Sequence, residues 1–110
     1  MKVEHKEHAI IIKDTQGDVF SFLEKVTHEY HSFTNHNLVL DISKDKNCTL
    51  KTLKLFFDLS KIHKKAKKSF ILVVSDIDFN KVPKKITVVP SLQEAHDIIE
   101  IEEIERDLGF

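Results

Sequence analysis

Two uninterrupted apolar runs, "LVLDIS" (residues 38–43) and "SFILVVS" (residues 69–75), constrain this chain more than any other feature. A strand with one wet face alternates polar and apolar side chains. A run without that alternation reads as a strand covered on both faces. Between the two runs, Leu50, Leu53, Phe56, Phe57, Leu59 and Ile62 recur at helical spacing. Two such strands joined through a helix imply parallel pairing and a right-handed crossover. The sequence therefore points to an α/β fold.

The flanking segments fit that frame. "AIIIKD" (residues 9–14) is β-branched and reads as a strand, with "KVEHKEH" before it as an edge strand. The turn between them is short, so this pair should be antiparallel, an N-terminal edge hairpin. Val19, Phe22, Leu23, Val26, Tyr30 and Phe33 mark a first helix, with Asp18 as its N-cap. Asn47 or Thr49 can cap the second. "KITVVP" (residues 85–90) is a short last strand. "SLQE" then opens the closing helix, with Ser91 at the N-cap and Glu94 three residues on. Leu92, Ala95, Ile98, Ile99, Ile101, Ile104 and Leu108 give that helix a broad apolar stripe. The expected architecture is a mixed, mainly parallel central sheet with about three to four helices.

Composition narrows the function. At 110 residues, 1–110 reads as a single domain, and 41% hydrophobic residues with eight Phe supply a core. A net charge of −1 argues against binding nucleic acid by phosphate neutralisation. One cysteine excludes an internal disulfide and fits a reducing compartment, so a cytoplasmic protein is expected. The apolar run near the N-terminus is too short for a signal peptide or membrane span.

Few groups offer chemistry. There is no glycine-rich phosphate loop, no G-x-S-x-G and no H-E-x-x-H, so neither catalysis nor a cofactor is expected. Seven histidines raise the question of a metal, and His28, His31 and His36 lie close in sequence. Zinc needs three or four converging ligands, and these read instead as solvated histidines, so no metal is expected. Cys48 precedes a helix start, which can lower a thiol pKa. No base partner accompanies it, and a small residue tucked under the loop is the simpler reading. "KIHKKAKK" suits the negative end of a helix dipole. The seven acids among residues 94–107 do not, and call for compensation by the protein's own lysines, a second copy or a basic partner.

The element order resembles the STAS domain, the fold of anti-sigma factor antagonists. "LVLDIS" is similar to that family's strand ending in Asp-x-Ser, with Asp41 and Ser43 in place. "LKLFFDLSKIHKKAKKSFILVVS" resembles its second helix and following strand, and "VVPSLQEAHDII" its last strand and closing helix. The resemblance implies a non-enzymatic, STAS-like regulatory module. Its partner would be an anti-sigma or serine-kinase-like protein or another regulator, met by a monomer or weak homodimer.

The partner surface implied is the second helix start and the loop before it: Asp45, Asn47, Cys48, Thr49, Leu50, Lys51, Thr52 and Lys54. The departure lies in the switch. Counted from Asp41 without gaps, Thr49 falls on the family's aspartate and Leu50 on its phosphorylated serine. Lys51 and Thr52 fall on the second serine and the glycine. In that register the phosphoacceptor is lost; a slip of one residue makes Thr49 a possible phosphorylation site. A small-ligand, metal-binding or enzyme-accessory domain is the reading from another class.

Overall fold

The computed structural model describes residues 1–109, and in it five strands form one sheet in chain order. Strand β1 (Lys2–His5) runs antiparallel to β2 (Ile10–Lys13), and Lys6 N donates to Ala9 O across the turn. Then β3 (Leu38–Asp41), β4 (Phe70–Val73) and β5 (Thr87–Val89) follow, each parallel to the strand before it. The central strand is β3, one of the two apolar runs.

Side-chain alternation divides the sheet into two buried faces. Ile10, Ile12, Leu38, Leu40, Phe70 and Leu72 point to one. Helix α1 (Val19–Glu29) covers that face with Val19, Phe22 and Val26, and the second helical segment covers it with Leu53, Phe56 and Leu59. Ile11, Val39, Ile71, Val73 and Val89 point to the other face, where α4 (Leu92–Asp107) lays Ala95 and Ile99 against them. Asp18 and Ser91 cap α1 and α4, accepting from Ser21 N and Glu94 N. Gly17, between β2 and α1, has a φ of +71°, and a Cβ there would lie 3.5 Å from Lys44 O. The left-handed conformation favours glycine, and the turn lies in ordinary van der Waals contact with the loop after β3.

Three helices differ from the periodicity reading: the first ends at Glu29 and gives way to a 3-10 turn (Tyr30–Ser32) before Phe33. The second is broken into α2 (Leu50–Leu53), a 3-10 turn (Lys54–Phe56) and α3 (Phe57–Lys65). Leu53, Phe56, Leu59 and Ile62 are three apart, a spacing that stays in phase only at three residues per turn. Once 3.6-residue winding resumes in α3, Ser60 and His63 turn inward and Ile62 turns out, 55% exposed. In α4 only the first half of the expected stripe is covered. Ile101, Ile104 and Leu108 lie on the far side of the helix from Ala95 and Ile99 and are exposed.

Polar contacts hold what the apolar stripe does not. Asn37 Nδ2 donates to His8 O, and Asn37 Oδ1 accepts from Ser69 N at 2.8 Å. Ser69 Oγ donates to Glu102, while Arg106 donates to both Ser69 Oγ and Asn37 Oδ1. This partly buried network pins the second half of α4 to the amino ends of β3 and β4 without apolar burial.

His63 is fully buried, with its ring edge-on to Tyr30 and Phe70. Its Nε2 lies 2.6 Å from His36 O, which can only accept, so Nε2 carries the proton. Nδ1 then accepts from the Tyr30 hydroxyl at 2.7 Å. Burial pushes the His63 pKa below the ordinary histidine value, more than the bond to His36 O raises it. Above the ordinary value both folded and unfolded chains hold His63 neutral. As pH falls below it, the unfolded chain takes up the proton first, and stability drops by at most about 1.4 kcal/mol per pH unit from this group. Urea titrations at pH 7 and pH 5 should therefore show a smaller acid loss for His63→Gln than for the parent chain. An equal loss would remove His63 as the cause.

Candidate functional site

Functional loops in open α/β sheets gather beyond the carboxyl ends of the strands. Here that edge carries Asp14 after β2, Asp41 at the end of β3, and Ser43, Asp45 and Ser75 in the loops. The carboxylates serve the backbone. Asp14 Oδ1 accepts from Gln16 N and Gly17 N, while its Oδ2 is buried with no partner among the described residues. Asp41 Oδ1 accepts from Ser43 N and, at 2.6 Å, from the Ser43 hydroxyl. Ser75 Oγ donates to Ser43 O, tying the end of β4 to the same loop.

Asp45 reaches furthest. Its Oδ2 accepts from Val19 N at 3.0 Å, although 26 residues separate them, and Oδ1 accepts from Asn47 N. One half-buried carboxylate thus fixes the loop after β3 and supplies an acceptor for the start of α1. It acts as a brace more than as a group offered to a partner.

Thr49 is the N-cap of α2. Its Oγ1 accepts from Thr52 N, and Thr52 Oγ1 accepts from Thr49 N at 3.2 Å. The two hydroxyls lie 3.1 Å apart. This reciprocal capping box engages the Thr49 hydroxyl, though Thr49 itself is exposed. Leu50 leans on the core. Asn47, Lys51 and Lys54 are exposed, and Thr52 is half-buried.

Cys48 lies beneath the loop, where its side chain offers no contact to a partner. Burial, and secondarily the Asp45 carboxylate, push its thiol up to about 11. That reverses the effect expected of a helix start, because α2 is a single turn with little dipole to oppose desolvation. His28, His31 and His36 are exposed, and no group of three or more His, Cys, Asp or Glu converges among the described residues.

Sequence reasoning missed an apolar groove beside the loop. Phe20, Leu23 and Leu55 line it, with Glu24, Thr27 and His28 at its rim. Phe20 is 64% exposed and Leu55 43%. Both are large apolar residues out of phase with the buried stripes of their helices, and that signal was readable: Phe20 falls between Val19 and Phe22, Leu55 between Leu53 and Phe56. The 3-10 turn carries Leu55 to the flank of α1, one residue after the exposed Lys54.

The Cys48 geometry gives a direct check. A disulfide reagent at neutral pH should label Cys48 in the folded chain roughly a hundredfold more slowly than in urea, since only the thiolate reacts. Labelling at the unfolded rate would contradict the burial. No family model and no curated protein matches this chain.

Proposed function

We propose that this chain is a non-enzymatic protein-interaction module of the STAS kind, and that it works without the family's serine phospho-switch. The observation that carries the reading is the open groove of Phe20, Leu23 and Leu55, with Leu55 in the 3-10 turn that directly follows α2 and its exposed start at Thr49 and Lys51. Apolar anchors inside a polar rim, here Glu24, Thr27 and His28, are the arrangement by which protein surfaces recognise one another. The mixed sheet, with its antiparallel edge pair and parallel remainder, agrees with the resemblance in element order. Among the described residues the polar groups at this edge already have structural work: Asp14, Asp41 and Asp45 accept from backbone N–H groups, the Thr49 hydroxyl caps α2, and the Cys48 thiol is covered.

In this reading the partner is an anti-sigma, serine-kinase-like or other regulatory protein, held at the start of α2. Leu50 contributes to the core, and Thr49 sets the helix start. Membrane embedding forms no part of the proposal; no helix among the described residues is long and apolar enough to cross a bilayer.

A photocrosslinking residue at Lys54, introduced in the cells that make this protein, should capture one defined protein. The adduct should vanish in Phe20→Glu and Leu55→Glu chains of unchanged melting temperature, and should not form from a crosslinker at Gln93. Capture from Gln93, or capture indifferent to the groove substitutions, would overturn the reading. Thr49 should be recovered unmodified from the same cells. Stoichiometric phosphate there would restore the alternative of a phosphorylatable antagonist using Thr49, and Thr49→Ala and Thr49→Glu should then shift partner affinity in opposite directions.

A further inference from the structure

We propose that the chain assembles head to tail with copies of itself, the outer face of α4 on one molecule seating against the lysine-rimmed groove over Phe57 on the next.

The first half of the argument is the outer face of α4. Ile101, Ile104 and Leu108 are 55%, 59% and 66% exposed and follow one line along the helix. Asp97, Glu100, Glu105 and Asp107 stand exposed around them. Three large apolar side chains in an acidic bed, on the face turned away from the sheet, are left uncovered by the described residues.

The second half lies across the molecule. Phe57, Asp58, Lys61, Lys64, Lys65 and Lys85 line a groove of about 620 Å³. Its apolar floor is the half-buried Phe57 ring, with Lys85 Nζ 5.9 Å from the ring centroid. Ile62, on the same helix, is also exposed. The groove thus offers what the α4 ridge lacks: an apolar seat among ammonium groups.

Charge decides which surfaces can meet. Residues 44–85 hold twelve Lys against four Asp, and residues 86–110 hold one Arg against seven acids. A net charge near zero conceals two strongly opposed surfaces. Two α4 ridges set face to face would oppose acid to acid, which disfavours a twofold dimer through this helix. Ridge on groove pairs opposite charges and buries apolar groups on both sides. One molecule cannot close the contact on itself, because α3 and α4 cover opposite faces of the sheet. Among the described residues they approach at one edge, where Lys64, Lys67 and Lys68 share a cavity with Glu102 and Glu105. Two different surfaces in contact make the interface heterologous, so it extends into open chains or closes into rings.

Neither surface includes Phe20 or Leu55, so this inference and the proposed function can fail separately. Light scattering and sedimentation of the full chain in low salt should show a mean mass rising with concentration. Between about 0.05 M and about 0.5 M salt, the dissociation constant should rise at least roughly tenfold, as screening removes the charge pairing. Lys61→Glu with Lys65→Glu blinds the groove; Ile101→Lys with Ile104→Lys blinds the ridge. All four positions are exposed, so melting temperatures should hold. Each double variant alone should be monomeric, and an equimolar mixture should give a one-to-one dimer that grows no further. Phe20→Glu should assemble like the parent chain. A parent chain that stays monomeric near about 1 mM, a weak association by any standard, would overturn the proposal. So would a dimer abolished by the ridge variant alone, or a mixture that fails to pair.

Discussion

The structure depends on a strand that can face water on neither side. Every residue of β3 before Asp41 is buried, Leu38 and Leu40 on one face and Val39 on the other. Such a strand needs hydrogen-bonded neighbours on both edges and helices on both faces. Strands β2 and β4 supply the edges. Helix α1 and the broken second helix supply one face, and α4 alone supplies the other. The loop that follows β3 inherits its place from this arrangement, and so does the candidate partner surface.

Buried polar groups then settle what apolar burial leaves loose. Asp45 joins the loop after β3 to the start of α1 and so brings Leu55 alongside Phe20. The Asn37, Ser69, Glu102 and Arg106 network holds the far half of α4 while its isoleucines remain outside. Tyr30 and His36 satisfy both nitrogens of His63. In each case a polar side chain joins elements far apart in sequence, which hydrophobic contact alone would position less uniquely.

Much of the fold was legible because local signals and tertiary demands agreed. The apolar runs became β3 and β4, and Asp18, Thr49 and Ser91 cap where their side-chain chemistry suits them. The helical faces were less legible. Apolar identity was taken as a sign of burial, yet phase decides it, and a 3-10 turn resets phase without an obvious residue to announce it. Hence Ile62 and Ile104 lie outside the core despite their apolar character, and His63 lies inside it. At the candidate site, the helix start and its cap were readable from "NCTLKT". The brace from Asp45 to Val19 was not, because a contact across 26 residues leaves no local pattern. The Phe20 groove was readable in principle, as apolar residues falling off the buried stripe.

Covering one sheet face with a single helix has a consequence during synthesis. The strands pair in the order in which the ribosome delivers them, so the sheet can grow one neighbour at a time with little long-range search. Its first face closes as α1 and α3 arrive. The second, made of Ile11, Val39, Ile71, Val73 and Val89, stays bare until residues 92–107 emerge. A nascent chain halted before that point would hold a complete sheet with one oily side open, the kind of surface that chaperones recognise and that other unfinished chains adhere to.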